Sequence, residues 1–352
     1  MVCVHVNKKV NMTPKQSTPT LQDVAAAAKV STATVSRCLN FPEQVAEATR
    51  TKVSEAVRRL GYSPNFGARA MAARRTNTIG AIIPTMENAI FARGLQSFQE
   101  ELRQHGFTML VASTSYRPDI EEEQIRSLVA RGADALLLIG HDRDPEIYRF
   151  LEAQGVPALV TWAFDANSNR PSIGFDNKDA MKDLASKVID LGHSRLALIS
   201  AKIDQNDRAA ARLNGIEDAM SQAGLDASTL DCIETMYGIE EGAAAFETLM
   251  AQTSRPTAVF CGNDVLAVGA LRRARQLGIS VPHDISIVGF DDIELAQVAY
   301  PSLTTVHVPH RDMGRCAGRA LADLIKNETP LKTIRLETHT VLRDSLGPVR
   351  RN

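Results

Sequence analysis

Between residues 31 and 40 the chain reads STATVSRCLN, and the residue types ask for a partner. On a helical spiral Val35, Cys38 and Leu39 turn to one side and Thr32, Ala33, Thr34, Ser36 and Arg37 to the other. A helix that only has to stay dissolved usually shows Glu and Lys; this one shows short hydrogen-bonding groups and one long cation. Short side chains let a backbone come close to a duplex. Thr34 and Ser36 can donate to phosphate oxygens, Arg37 can span O6 and N7 of guanine, and Thr32 and Ala33 offer methyl groups to thymine. A plain packed helical hairpin stays open as the other reading of this pattern.

The flanking residues supply the elements that would hold this face. Thr20 is placed to cap a short helix through Ala28, with Asp23 as its acidic partner three residues on. Val24, Ala25 and Ala28 give that helix one apolar side. A break at Lys29 to Thr32 leads into the second helix, capped by Ser31. A third helix is expected from about Ala48 to Leu60, with Val53, Ala56, Val57 and Leu60 inward. Two short helices across a tight turn, packed through Val30 and Val35 and backed by a third, make a helix-turn-helix unit.

Charge is segregated in the same sense. Residues 1–78 hold 12 Lys+Arg against 4 Asp+Glu, a net of +8, and the remainder 28 against 37, a net of −9. A basic front end on an acidic body points to a polyanion partner for the front end, or to a basic solvated tail. At 352 residues and 44% hydrophobic the chain can bury more than one core. Its five cysteines, at 3, 38, 232, 261 and 316, are odd in number and form no CxxC pair, which argues against a disulfide framework and a zinc module. With no apolar leader and no run of about 20 apolar residues, a cytoplasmic protein without membrane insertion is expected. Met1 and Met12 are both candidate starts.

From residue 78 the pattern changes to apolar strands alternating with amphipathic helices. Strands are expected at 79–84, 108–113, 135–139, 158–161 and 173–175, with helices at 91–105 and 119–131. A second series follows at 195–200, 257–261 and 285–289 and closes near 303–308 and 335–342. Two α/β lobes with parallel, doubly covered sheets result. In such lobes ligands sit beyond the carboxyl ends of the strands.

The front end is similar to the headpiece of the LacI/GalR family of bacterial regulators. TLQDVAAAAKVSTATVSRCLN carries the resemblance, which runs on without a gap through VAEATRTKVSEAVRRLGYSPNFGARAM. It implies four parts: an arm at 1–19, the DNA-binding domain at 20–63, a hinge helix at 64–77, and a two-lobed, periplasmic-binding-protein-like effector and dimerisation domain at 78–352. It also implies DNA contacts from Thr20, Leu21, Ser31, Thr32, Ala33, Thr34, Ser36, Arg37, Asn40, Thr49, Asn65, Ala68 and Arg69. Met71 stands at the position where the family wedges an apolar side chain into the minor groove. Three departures stand out. Lys29 replaces a glycine suited to positive φ, Gly67 weakens the hinge helix, and Ala46 replaces a hydroxyl.

In the body the resemblance implies an effector site made by Arg212, Asn263 and Asp291, with Trp162 and Tyr237 as walls, Phe91 near the mouth, and Asp176 paired with Arg212 or the ligand. Asp and Asn would read hydroxyls, Arg an anion or ring oxygen, and the indole an apolar ring face. Asp264 and Asp292 read as caps or lobe-closing partners, and His193 as part of a structural turn. His307 and His310 lie on an extended segment between prolines with no third metal ligand in view. No metal or cofactor is expected.

The function that follows is a DNA-binding transcriptional regulator, a repressor by expectation. It would act as a homodimer on a near-palindromic operator and be switched by a sugar or related small molecule between the lobes. No heptad tail suggests a tetramer. A solute-binding protein on the same fold would account for the body alone. An enzyme finds no support, since GxSxG, Walker, GxGxxG and HExxH patterns are missing.

Overall fold

The computed structural model describes residues 18–63, 75–87 and 89–350. It divides into two compact units, one ending at Thr76 and the other running from Asn77 to Asn352.

The first unit consists of α1 (Leu21–Ala28), α2 (Thr32–Asn40) and α3 (Glu47–Leu60). Thr20 and Asp23 form a complete capping box: the Thr20 hydroxyl accepts from the Asp23 amide, and the Asp23 carboxylate accepts from the Thr20 amide at 2.8 Å. The Thr20 amide and the Thr20 hydroxyl, which donates to Asp23 Oδ2 at 2.7 Å, hold the Asp23 carboxyl below its ordinary pKa. Ser31 caps α2 by accepting from the Thr34 amide at 3.1 Å. Val24, Ala25, Ala28, Val35, Val53 and Ala56 form the buried core, and Val30, Leu39, Val57 and Leu60 pack half-buried around it. Lys29 closes α1 at φ 54°, ψ 46°, the left-handed conformation expected at this turn. A side chain there is strained relative to glycine.

Ala46 stands at the N-cap of α3 and makes no side-chain cap bond. An Ala46→Ser change is therefore expected to stabilise this unit by about 0.5–2 kcal/mol. Slower amide hydrogen exchange in the first turn of α3 would report the gain, and unchanged exchange would refute it.

The second unit holds two lobes. In the first, β1 (Thr78–Ile83), β2 (Thr108–Ser113), β3 (Ala135–Ile139), β4 (Ala158–Thr161), β5 (Ser172–Gly174) and β11 (Ile334–Arg335) form one sheet in the order β11-β5-β4-β3-β1-β2. In the second, β6 (Leu196–Ser200), β7 (Asp231–Glu234), β8 (Ala258–Cys261) and β9 (Ser286–Val288) lie in the order β7-β6-β8-β9. Every pairing in both sheets is parallel. β1, β3, β6 and β8 are buried throughout, as continuous apolar runs in doubly covered sheets should be.

The helices are α4 (Ala89–Gln104), α5 (Pro118–Ala130), α6 (Pro145–Gln154), α7 (Asn177–Asp190), α8 (Asp207–Gln222), α9 (Ile239–Met250), α10 (Asp264–Gln276), α11 (Glu294–Val298) and α12 (His310–Asn327). A side chain at Gly314 of α12 would collide with the backbone of Gly94 and Phe98, so the glycine lets α12 pack directly on α4. Among the described residues no helix is long and apolar enough to cross a membrane.

Two strand expectations need correction. The stretch 335–342 is two strands: β11 joins the first lobe beside β5, and β12 (His339–Val341) pairs antiparallel with β10 (Thr305–His307). β7 was not expected at all; its residues are mostly exposed at a sheet edge, so its apolar signal is weak.

Candidate functional site

In the first unit the outward side of α2 shows Thr32, Ala33, Arg37 and Asn40 exposed, with Thr34 and Ser36 half-buried. Asn40 Nδ2 donates to Ser36 Oγ at 3.2 Å, which leaves the Ser36 hydroxyl hydrogen for an external acceptor. Thr34 Oγ1 lies 2.9 Å from Ser31 Oγ, so those two hydroxyls belong to one cap. Thr20 is exposed, and Leu21 and Thr49 are half-buried. Asn65, Ala68, Arg69 and Met71 lie outside the described residues.

The second unit holds a cleft between its lobes, and each lining side chain follows the carboxyl end of a strand. From the first lobe come Ile90 and Phe91 after β1, Tyr116 after β2 and Trp162 after β4. From the second come Asn206, Arg208 and Arg212 after β6, Tyr237 after β7, Asn263 after β8 and Asp291 after β9. The sequence reading named Phe91, Trp162, Arg212, Tyr237, Asn263 and Asp291, and the fold brings these together. It missed Ile90, Tyr116, Asn206 and Arg208. The same rule could have found them, since Tyr116 follows β2 and Arg208 lies one helical turn before Arg212.

The lobes meet tightly here. Asp207 accepts from the His141 amide at 2.6 Å, Arg208 Nη1 reaches the Ile139 carbonyl at 3.3 Å, and Arg93 pairs with Glu294 at 2.7 Å. The free volume is about 20 Å³, room for about one water. Any larger guest must displace side chains or part the lobes.

Arg212 is held from three sides. Its Nε donates to Asn177 Oδ1 at 3.0 Å, Nη1 donates to the Gly262 carbonyl, and its guanidinium lies 3.9 Å from the Phe290 ring centroid. Asn177 in turn donates to the Trp162 carbonyl at 3.0 Å. The arginine is thus pre-set, with other N–H groups left for the cleft.

Backbone strain is concentrated at the lining. Tyr116, Trp162 and Asp291 have φ of 59°, 60° and 104°, conformations that a side chain disfavours and that packing must impose. At Trp162 that packing is visible: its ring lies 5.4 Å from Phe91, and any side chain at Gly94 would strike the indole.

The electrostatics single out Asp291. Both carboxylate oxygens are buried without a hydrogen-bond partner among the described residues, as is Asn263 Nδ2. Burial pushes the Asp291 carboxyl up to about 7, and the Arg212 charge pulls the other way. Burial likewise raises the Tyr237 phenol. Unsatisfied buried polar groups cost about 1–3 kcal/mol each, so these atoms are suited to an incoming partner rather than to stability. Asn263 has a second task, capping α10 through Oδ1, which accepts from the Leu266 amide at 2.9 Å.

Other expected residues lie elsewhere. Asp176 does not line the cleft and does not pair with Arg212. It caps α7 by accepting from the Asp179 amide at 2.9 Å and has Arg335 at 4.0 Å. A strand-end aspartate before a helix reads the same in sequence whether it serves the cap or the cleft. Asp264 accepts from the Ile293 amide and the Thr305 hydroxyl at 2.8 and 2.6 Å; Asp292 pairs with His307 and Arg343 at 2.8 and 2.6 Å. Both tie the second lobe together. His193 joins Thr257 and the Gly347 carbonyl at 3.0 and 2.8 Å, a structural role. Among the described residues no group of three His, Cys, Asp or Glu converges to hold a metal.

Residues 20–65 match the family described as bacterial regulatory proteins, lacI family, and residues 185–346 match the periplasmic binding protein-like domain. Catabolite control protein A of Priestia megaterium is 31% identical over 310 residues, covering 88% of this chain and 93% of that protein. The HTH-type transcriptional repressor PurR of Vibrio atlanticus is 33% identical over 316 residues, covering 90% and 94%. Among solved structures, the lac repressor dimer bound to operator and the anti-inducer ONPF superposes with a TM-score of 0.82 at 26% identity, covering 94% of this chain and 99% of that one.

Proposed function

The chain belongs to the LacI family of bacterial regulatory proteins, and from that premise we propose that it represses transcription by binding a specific operator with an affinity set by a small molecule in the cleft. One observation carries the reading. A single chain joins an exposed α2 surface of Ser, Thr and Arg to a separate cleft whose buried Asp291 and Asn263 atoms have no partner of their own. A solute-binding protein would leave the first feature without a use, and matched relatives such as PurR and GntR are named as transcriptional regulators.

In this reading α2 enters the major groove. Arg37 contacts guanine, Ser36 and Thr34 contact phosphate, Thr32 and Ala33 meet thymine methyls, and Thr20, Leu21, Ser31, Asn40 and Thr49 support the contact. The cleft takes a hydroxyl-bearing ring compound. Its hydroxyls donate to Asp291 and accept from Asn263 and Arg212, while Trp162 and Phe91 cover an apolar face. Two chains pair, placing two α2 helices on a near-palindromic site. Support comes from the exposed apolar side chains of Val298 and Tyr300, 76% and 83% accessible, and from the open edge of the first sheet at β2. Isolated apolar side chains this exposed are ordinary, but grouped on one segment they suit a partner.

Duplex fragments of the source genome offered to the full chain test the reading. Selective capture that is lost on deleting residues 1–63 is expected; capture that survives the deletion contradicts it. A thermal-shift screen of sugars and nucleobases then finds the ligand by its stabilisation of the folded body.

Arg212→Ala is expected to weaken that ligand by roughly 10–150-fold, from the loss of one charged hydrogen bond at about 1.5–3 kcal/mol. Operator affinity without ligand should not change. A normal response of the variant, read by titrating ligand against bound operator, would remove Arg212 from the site.

A further inference from the structure

The buried imidazole of His310 has no role in the reading above. It opens α12, is 3% exposed, and lies beside Trp162 with ring centroids 6.1 Å apart. The Trp162 indole N–H donates to His310 Nδ1 at 3.2 Å. An indole nitrogen can only donate, so Nδ1 must be the acceptor and the imidazole proton sits on Nε2. Nε2 has no hydrogen-bond partner among the described residues; Asp291 Oδ1 lies 3.7 Å from it, and the Asp291 backbone also acts on the ring. Indole, imidazole and carboxylate thus follow one another, with the Trp162 N–H spent on Nδ1 and the Nε2 proton left near Asp291.

We propose that His310 is a positioning residue: locked by Trp162 in its Nε2–H form, it aims a neutral donor at Asp291 Oδ1, favours the carboxylate anion and turns Oδ2 to the effector. This rests on reading the cleft as the effector site. His310 does not line the cleft and is not argued to touch the ligand.

The surrounding charges fit a neutral donor rather than an ion pair. Burial and the nearby Arg93 hold the His310 imidazolium down to about 3, against a pull upward from the Asp291 backbone, so the ring is neutral near pH 7. Asp291 feels Arg212 from α8, and its own charge in turn raises Asp264 at the start of α10 and the phenols of Tyr116 and Tyr237. His310 feels Arg93 from α4, Arg212, and His307 from β10. Arg212 is the cation that lowers Asp291, and the His310 N–H would add a neutral donor to it. The 3.7 Å gap is longer than a hydrogen bond, so the N–H acts on Oδ1 through its dipole.

The test needs no ligand. In the full chain with carbonyl-labelled aspartate, the Asp291 carboxyl is assigned by its disappearance in Asp291→Asn and titrated by carbon NMR. His310→Phe keeps a flat ring and removes the donor. Its Asp291 midpoint is expected to rise by about one pH unit, a tenfold shift in the ionisation equilibrium. His310→Gln, which retains an N–H, should return most of that shift. Trp162→Phe keeps the ring packing, frees His310 Nδ1 and should move the midpoint the same way, which keeps the test open if His310→Phe does not fold.

A midpoint unchanged in His310→Phe, or in Trp162→Phe where only that variant folds, overturns the proposal, as does a nitrogen NMR signature placing the proton on Nδ1. Because the readout is an ionisation, it separates from the effector reading. A shifted midpoint in a chain that binds no small molecule would refute the effector site and leave the positioning role intact, and an unshifted one in a ligand-binding chain would do the reverse.

Discussion

Asp291→Asn is expected to yield a chain that is more stable at pH 8 and no longer answers its ligand. In the folded chain burial pushes this carboxyl up to about 7; an unfolded aspartate titrates near 3.9. Between those values the folded state keeps a proton that the unfolded state has released, so stability falls as pH rises through the window and the full cost is present above about 7. About three pH units at 1.36 kcal/mol each set a ceiling of about 4 kcal/mol. The neutral isostere should recover about 2–4 kcal/mol at pH 8 and close to nothing at pH 3, below both values. Denaturant melts of the ligand-free variant and parent at the two pH values decide it. An equal gain at both would show that packing, not ionisation, is responsible. The same substitution removes the anion that accepts from the ligand's hydroxyls, and an affinity loss of roughly 10–100-fold follows from charged hydrogen bonds at about 1.5–3 kcal/mol each. A site that is costly when empty and needed when filled is the usual trade at a binding site.

Arg37→Ala should have the largest effect on the other function. Arg37 is the long cation on the exposed side of α2, and a guanidinium spanning two guanine acceptors discriminates by about 1–3 kcal/mol. Operator binding should weaken by roughly 5–150-fold, and the preference at one base-pair position should relax. A phosphate contact behaves differently: its loss weakens all duplexes alike and lowers the salt slope by about one. Anisotropy titrations on the operator, on a variant changed at the guanine and on random duplex separate the two. Equal weakening on all three would move Arg37 from base reading to the backbone. The fold of the unit should survive, because Val24, Val35 and Val53 carry its core and Arg37 is outside it.

Local chemistry explains which parts of this could be read in advance. The capping box at Thr20 and Asp23, the Ser31 cap and the left-handed Lys29 follow from side chains acting on backbone within three residues, a range at which sequence spacing is nearly geometry. The buried strands β1, β3, β6 and β8 announce themselves as unbroken apolar runs, whereas exposed β7 does not. In the cleft, the residues directly after strands were readable by a topological rule. Asn177 and His310 were not. They act on Arg212 and Asp291 across 35 and 19 positions, and His310 depends on Trp162 at a separation of 148. His310 beside prolines suggested metal only as a remote option, and nothing in the sequence marks its tautomer. Asp176 shows the opposite failure, a residue whose local signature suits two roles and whose distant partner, Arg335, decides for the cap.

The central claim is that the ligand cleft and the α2 surface are linked in free energy. Linkage of this kind is reciprocal: a ligand that changes operator affinity by some factor must find its own affinity changed by the same factor when operator is bound. Isothermal titration of the screened ligand into the full chain, alone and saturated with operator duplex, measures this directly. The account predicts two affinities that differ by roughly 5–150-fold, about 1–3 kcal/mol, with the difference abolished in Arg212→Ala. Equal affinities with and without operator would contradict it.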